Sequence, residues 1–407
     1  MAGALSHIRV LDLTRVLAGP WCTQILADLG ADVIKVERPA AGDESRHWGP
    51  PWLKDGQGAD TRDSSYYSSA NRNKRSITID ISRPEGQALV RDLAVRSDVL
   101  AENYKVGDLG RYGLAYEDIR AINSGVVYCS ITGYGQDGPY AQRPGYDFIF
   151  QGEGGLMSIN GERDDRPGGG PMKVGIAVTD ILTGLNATIA ILAALEHRGR
   201  SGRGQYIDMA LLDTIVNFGA NQIAGYFATG DIPRRWGNAH PNLAPYQVFP
   251  TGDGHMIIGC GNQAQWRRFC AAIGRDALVD DARFRDMRDR NVNREALVAE
   301  LERTLKQRPT SFWLAQLADA DIPNGPINNY EQVFEHPQVG HRGLRVDLPS
   351  ATGGVTATVA NPIRLSETPV EYRRAPPTLG QHTAEVLAEV LRKTQAEIDA
   401  LATSGVI

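Results

Sequence analysis

One stretch constrains the fold more than any other: Met172-Lys-Val-Gly-Ile-Ala-Val-Thr-Asp-Ile-Leu-Thr-Gly-Leu-Asn-Ala-Thr-Ile-Ala-Ile-Leu-Ala-Ala-Leu195, in which Asp180 is the sole acidic residue. Val174 to Val178 reads as a short extended run. The segment after it has apolar residues on every helical face, and a helix hydrophobic all round is a buried helix. Asp180 therefore lies near the start of a core helix, where a charge is poorly solvated. Two readings fit. In one, Asp180 is an N-cap whose side chain accepts an orphan backbone N–H. In the other it is a nucleophile, held as an anion by the helix dipole and made reactive by poor solvation, provided a cleft reaches it. Caps far outnumber nucleophiles, so local sequence favours the cap.

A chain of 407 residues supports two or three domains and a large core. Its net charge of -5 supplies no electrostatic reason to expect nucleic acid or an anionic membrane as partner. Cys22, Cys129, Cys260 and Cys270 are scattered with no Cys-x-x-Cys pair, which fits a reducing compartment without disulfides or a zinc cluster. No charged-then-apolar leader precedes the first strand at Ile8. The longest apolar run, Ile181 to Leu195, reads as too short for a bilayer and carries Thr183, Asn186 and Thr188. The expectation is a cytoplasmic protein.

Strands and helices alternate through the first half, which predicts an α/β domain. Ile8–Leu13 is an apolar strand; Leu17-Ala-Gly-Pro20 turns into a helix, with Pro20 suited to its first position and Gly30 to its end. Asp32–Glu37 is the next strand, completing a β-α-β unit with parallel strands. It lacks G-x-G-x-x-G, so a dinucleotide site is poorly supported. Arg38 to Tyr67 reads as a long functional loop. Strands follow at Ser76–Ile81, Asp98–Ala101, Val126–Ile131 and Gln205–Met209, with a helix from Arg83 to about Arg96 and a long one over Leu211–Phe227. Composition changes near Gly230. Beyond it come a strand at His255–Gly261, helices over Gln265–Ile273, Asp280–Lys306 and Ser311–Leu317, and paired strands within Gly353–Leu365. Ile322–Ile327 reads as the return towards the first domain.

In an open parallel sheet, ligands bind beyond the carboxyl ends of the strands. Cations collect there: Arg38 after the second strand, Lys105 after Asp98–Ala101, and Arg143 beyond Val126–Ile131; Arg72, Lys74 and Arg75 precede a strand and are candidates for the same mouth. Most Lys and Arg are solvated surface charges. Their recurrence in loops nevertheless suits a polyanion such as coenzyme A, whose separate phosphates need several cations. Other chemistry is missing: no His-Glu-x-x-His or metal-spaced Cys/His cluster, no G-x-S-x-G, and no Walker loop. That silence adds weight to Asp180.

Several segments taken together resemble the class III coenzyme A-transferase family over nearly the whole chain. They are Val10-Leu-Asp-Leu-Thr, Ala18-Gly-Pro, Gly30-Ala-Asp-Val-Ile-Lys-Val-Glu-Arg-Pro39, Asn73-Lys-Arg-Ser76, Glu102-Asn-Tyr, Ser130-Ile-Thr-Gly-Tyr-Gly135, Gly145-Tyr-Asp147, Val178-Thr-Asp-Ile-Leu-Thr-Gly184 and Gly202-Arg-Gly-Gln205. The resemblance implies that Asp180 is the nucleophile. It places Val16, Leu17, Arg38, Lys74, Arg75, Asn103, Lys105, Arg111 and Arg143 in or near the CoA site. Lys105 stands where many members carry Arg, which removes a bidentate phosphate contact. The implied fold is a Rossmann-like large domain built from both chain ends, 1–225 and 326–407, with a smaller α+β domain at 226–325. The implied assembly is an interlocked homodimer.

Arg234-Arg-Trp-Gly-Asn-Ala-His240, Pro245-Tyr-Gln-Val-Phe249, Gly325-Pro-Ile-Asn-Asn329 and Val333-Phe-Glu-His-Pro-Gln338 resemble the branch that uses succinyl-CoA and glutarate-type dicarboxylates. The glycine run that covers the site in formyl-CoA:oxalate members is reduced here to Gly259-Cys-Gly-Asn262. The mechanism implied runs through an aspartyl anhydride and an aspartyl-CoA thioester, with no cofactor or metal. Backbone N–H groups near Asp180 and at Gly259 to Gly261 are candidates for oxyanion stabilisation. Arg46, Arg234, Arg235 and His240 are candidates for a distal carboxylate, and Tyr146 for substrate contact. The nearest rival is an α-methylacyl-CoA racemase, which carries Gly-His-Asp where this chain has Gly145-Tyr146-Asp147. A rival of another class is a non-catalytic CoA-thioester binder in which Asp180 only caps its helix; a nicotinamide oxidoreductase is more distant.

Overall fold

The computed structural model describes residues 3–407. The chain divides into two compact units, one formed by Met1–Leu156, Lys173–Ala224 and Gly340–Ile407, the other by Met157–Met172 and Gly225–Val339. The second unit thus takes in 157–172 and runs to Val339, whereas the sequence reading began it at 226 and ended it at 325.

In the first unit, β1 (Arg9–Asp12), β2 (Asp32–Glu37), β3 (Arg75–Thr78), β4 (Val99–Glu102), β5 (Val127–Thr132) and β6 (Tyr206–Ala210) form one six-stranded sheet in the order β3-β2-β1-β4-β5-β6. All neighbouring pairs are parallel. This is the doubly wound α/β order, and the chain reverses its direction of travel across the sheet between β1 and β4. The strands read as near-continuous apolar runs because both faces are covered. On one face Leu11, Ile34, Leu100 and Tyr128 pack with Leu89 and Leu93 of α2 (Pro84–Val95) and Ile119 of α3 (Tyr116–Ile122). On the other, Val10, Val33, Val99 and Val127 pack with Cys22 and Leu26 of α1 (Ala18–Asp28). Their neighbours there include Phe150 of α4 (Asp147–Glu153), Ala187 and Ile191 of α5 (Val178–Ser201), and Ile215 of α6 (Leu211–Phe218).

Close contact between α1 and α5 explains a glycine inside a helix. A Cβ on Gly184 would lie 2.6 Å from the Ala18 carbonyl oxygen and 3.2 Å from the Cys22 nitrogen. The second unit has its own core, where Phe249, Met256, Ile258, Trp266, Phe269, Leu301 and Trp313 are buried. Beside that core lies an antiparallel sheet of β7 (Tyr246–Pro250), β8 (His255–Gly259) and β9 (Asn324–Pro326), with β8 in the centre.

Some local expectations change. Residues 174–177 are irregular rather than extended, and α5 begins at Val178. At 24 residues, α5 is long and apolar enough to cross a membrane by length and composition, so the run read as too short belongs to a longer helix. It buries Thr179, Asp180, Thr183 and Thr188 along one face, as a core helix does. Leu185 and Ile189 on its opposite face are exposed, so apolar composition on every side did not bring burial on every side within one chain. Pro20 is the third rather than the first residue of α1. The single helix expected over Leu211–Phe227 breaks at Gly219 into α6 and Ala220–Thr229, with Ala220 at a φ of 41°. Asp280–Lys306 likewise divides, into the end of Ala277–Asp280, then Met287–Val292 and Arg294–Leu305. The loop after β2 contains a 3-10 turn at Glu44–His47, a hairpin of Trp52–Lys54 with Asp60–Ser64, and a short helix, Ser65–Ser68. The C-terminal strand pair is Arg345–Pro349 with Val355–Val359, and part of the expected return, Asn324–Pro326, is β9.

Candidate active site

The loop after β1 is built from beneath by buried charge. Asp12 accepts the Thr14 backbone N–H at 2.9 Å, and Lys35 donates from Nζ to the Thr14 carbonyl at 2.7 Å. Asp43 accepts the Val16 N–H at 3.1 Å. Asn103, just past β4, accepts the Arg15 N–H at 2.9 Å and donates to the Arg15 carbonyl at 2.7 Å. Val16 is thereby held at a φ of 70°, a left-handed conformation that a β-branched residue avoids. Such strain, on the order of 1–3 kcal/mol, persists only where surroundings over-determine it, and it clusters at functional sites.

The charges below are paired in kind: Lys35 with Asp43 at 3.0 Å and Lys74 with Asp12 at 3.1 Å. Burial alone would raise Asp12, but the charges of Lys74 and Lys35 outweigh it and hold the carboxyl at about 2. Burial lowers Lys74 to about 8 against the attraction of Asp12.

Asp180 is the third residue of α5, and the N-cap position belongs to Ala177, which has no capping side chain. The capping is done from α4. Asp147 Oδ1 accepts the Thr179 N–H at 2.7 Å and the Asp180 N–H at 3.3 Å. Its Oδ2 accepts from Gln151 Nε2 at 2.6 Å, and Gln151 Oε1 accepts the Val174 N–H at 2.8 Å. The cap reading of Asp180 therefore passes to a residue 33 positions earlier in the chain. The Asp180 side chain has no hydrogen-bond partner among the described residues and is 8 % exposed. Burial, and then the neighbouring charge of Asp147, pushes it up to about 7. Tyr66 feels the same field: burial, then Asp180 and Asp147, pushes its hydroxyl up to about 12.

A cleft of about 210 Å³ opens beyond the carboxyl ends of β1, β4 and β5, at the reversal between β1 and β4. This is where doubly wound sheets bind ligands. Its lining brings together Asp180, Val16, Leu17, Asn103, Lys105, Arg143 and Tyr146 from the sequence reading. It adds Arg15, Tyr104 and Thr132, which the sequence reading did not single out. Arg143 stacks on the Tyr140 ring at 3.7 Å, and neither it nor Lys105 has an ion-pair partner among the described residues. Arg15 pairs with Glu44 at 2.5 Å. The cleft thus offers two unpaired cations, a strained backbone turn and an underused carboxylate, which suits a flexible polyanion carrying an electrophilic end.

Other expected site residues lie elsewhere. Arg46 is buried, with its guanidinium spent on Glu37 at 2.7 Å, Asp63 at 2.5 Å, the Tyr67 hydroxyl and the Pro377 carbonyl, so it is not free for a distal carboxylate. Lys74 is sealed beneath the loop, donating to Asp12, Asn71 and the Pro20 carbonyl. Arg75 pairs with Asp32 at 2.6 Å and with Glu389 at 2.8 Å, near the amino end of β2 and thus at the far edge of the sheet from the cleft. Neither Lys74 nor Arg75 presents a cation to a phosphate in this structure. Arg38 and Arg111 are exposed outside the cleft lining, Arg111 pairing with Asp108 at 2.5 Å.

Arg234, Arg235, His240, Gly259 and Gly261 belong to the second unit. Arg234 stacks on Trp236 at 4.1 Å. Arg235 is engaged with Asp164 and the Glu162 carbonyl. His240 Nδ1 accepts from the Asn242 and Leu243 N–H groups, and burial, then Arg294, lowers its pKa. The N–H groups of Gly259, Cys260 and Gly261 already donate to the Pro323 carbonyl, the Pro245 carbonyl and Gln265 Oε1. In this conformation they are not available as the oxyanion donors expected of them.

One missed feature had a signal. Lys35 lies in an apolar strand, Val-Ile-Lys-Val, and an interior lysine requires a buried partner. Asp147 stood only within the Gly145-Tyr-Asp147 segment, which did not reveal its capping role, since that role depends on α4 lying against the start of α5.

Comparison with known proteins identifies the family. Residues 5–383 match the model of CoA-transferase family III. The chain is 50 % identical over 387 residues to succinate–glutarate CoA-transferase of Agrobacterium fabrum, covering 95 % of each chain. It is 42 % identical over 403 residues to human succinyl-CoA:glutarate CoA-transferase, covering 99 % of this chain and 90 % of that one. A crystal structure of a CaiB/BaiF family protein from Brucella suis superposes with a TM-score of 0.85 at 46 % identity, over 96 % of this chain and 100 % of that one. With a parallel α/β sheet, a cationic cleft at its switch point and these relatives, the chain belongs to CoA-transferase family III and is an enzyme of CoA transfer.

Proposed function

We propose that the enzyme moves CoA from succinyl-CoA to a free C4–C6 dicarboxylic acid such as glutarate, with Asp180 as the covalent nucleophile. The observation that carries this reading is the placement of Asp180: an unbonded carboxylate, raised to about 7, on the wall of a cleft that also presents Lys105 and Arg143. The names of the relatives supply the substrate pair.

An Asp180 oxygen attacks the thioester carbonyl carbon. The C–S bond breaks, its electron pair leaves on the CoA thiolate, and a mixed anhydride remains. The bound thiolate then attacks the aspartyl carbonyl, forming an aspartyl-CoA thioester and releasing succinate. The acceptor carboxylate attacks this thioester and displaces the thiolate, which attacks the acceptor's carbonyl and restores Asp180. Each step exchanges one activated carboxyl for another, so no external energy source is needed. Water must be kept out, since it would hydrolyse either intermediate.

Lys105 and Arg143 are the cations for the CoA phosphates, with Val16, Leu17 and Asn103 shaping the turn beside them. Of the cations read for the distal carboxylate, Arg234 is exposed and has no ion pair among the described residues. The reading also carries an interlocked homodimer and a cytoplasmic setting.

Asp180→Ala should abolish transfer and leave CoA binding intact; retained turnover removes the proposal. Incubation with succinyl-CoA followed by hydroxylamine should trap an acyl-enzyme in the wild type alone. A panel of free C4–C6 dicarboxylates against succinyl-CoA then identifies the acceptor.

A further inference from the structure

The geometry assigns Asp147 as an electrostatic positioning residue for Asp180: it occupies the helix N-terminus that would otherwise stabilise the Asp180 anion, and it sets a second carboxylate beside it. This rests on the nucleophile reading above. The positive end of α5 is the natural stabiliser of an anion at its third residue. Asp147 Oδ1 takes it instead, accepting the N–H groups of both Thr179 and Asp180. Asp147 cannot swing away readily, because Gln151, which is fully buried, holds its other oxygen and is itself fixed by Val174.

Other titratable groups lie on the elements packed around this pair. Glu153 lies on α4, Cys22 and Asp28 on α1, Cys129 on β5, Asp208 on β6 and Asp213 on α6. Lys105, Arg143 and Arg15 line the cleft. The charge that acts on Asp180 is that of Asp147, and Tyr66 is a further group whose ionisation both carboxylates oppose.

The arrangement favours the first chemical step. A desolvated carboxylate beside a like charge is more basic, and basicity carries into nucleophilicity. When Asp180 bonds to the acyl carbon its charge departs on the thiolate, and the repulsion from Asp147 is relieved. A cap of opposite or neutral character would stabilise the resting anion and lose that advantage.

The test is Asp147→Asn, whose amide oxygen can still accept from Thr179 and Asp180 while the charge is gone; Asp147→Ser is a second uncharged cap should the first fail to fold. The readouts are the pH profile of kcat/KM for succinyl-CoA, Tm, and hydroxylamine trapping. We expect a lowered Tm, because the new amide nitrogen meets the Gln151 amide nitrogen, and an acid limb shifted down by about one pH unit. The plateau rate should fall roughly three-fold. An acid limb at the wild-type pH, with wild-type plateau rate, overturns the inference and leaves Asp147 as a cap only. Failure to trap any acyl-enzyme in the wild type would instead remove the nucleophile reading, so the two failures are distinguishable.

Discussion

Asp180 is charged where its surroundings prefer it neutral. On the proposed mechanism transfer needs the carboxylate, so kcat/KM for the acyl-CoA should fall as pH drops below about 7, read from a rate profile at fixed ionic strength. The same shift has a stability consequence. The folded-state pKa lies above the ordinary value of 3.8, so the folded protein binds this proton more tightly. The stabilisation is present below the ordinary pKa and is lost as pH rises through about 7. Asp180→Asn, its amide verified by mass, should therefore be more stable than wild type at pH 8 by roughly 1–3 kcal/mol. That gain should shrink towards pH 4, as followed by urea denaturation. Arg143→Ala should raise the KM for acyl-CoA about ten-fold with a smaller change in kcat. High salt should narrow the difference between the two enzymes, because exposed charge is screened.

At the scale of elements, two contacts place the proposed nucleophile. One is the approach of α1 to α5 at Gly184; the other is the clamp from α4 through Asp147. Gly184→Val would push side-chain atoms into the Ala18 carbonyl and Cys22 backbone, and overpacking of this kind destabilises by about 1–3 kcal/mol. The fall should appear in Tm, with activity lost in parallel as α5 shifts. The loop after β1 depends likewise on Lys35. Lys35→Met leaves Asp43 buried without its partner, and breaking such a pair costs about 3–5 kcal/mol. A variant as stable as wild type would contradict the pairing described here. Element types were largely legible in the sequence because strand and helix periods are local. Breaks such as Gly219–Ala220 were less so, since apolar character continued across them.

At the scale of the whole molecule, exposed apolar side chains stand on two helices of the first unit. Ile189 is 64 % exposed and Leu185 41 %, both on α5, with Val216 at 44 % and Phe218 at 46 % on α6. Apolar surface of this kind is what an association face would bury. The proposed homodimer accounts for it, and light scattering should give twice the 44.3 kDa chain mass. Ile189→Asp should shift that mass towards the monomer; an unchanged dimer would place the interface elsewhere.

The sequence alone determined the parallel α/β architecture, since alternating apolar strands and helices leave few other arrangements, and it singled out Asp180 by isolating one acid in an apolar helix. It also pointed to Lys105 and Arg143 as cations of the mouth. It did not distinguish them from Lys74, Arg75 and Arg46, which look equally basic on paper. Only the tertiary structure decided that these three are spent: Lys74 on an aspartate 62 residues away, Arg75 on one 43 residues away, and Arg46 on Glu37 and Asp63. It likewise gave the cap to Asp147 and left Asp180 unbonded. The reason is physical: helix and strand periods are written in neighbouring residues, whereas the availability of a charge depends on which distant carboxylate the fold brings beside it.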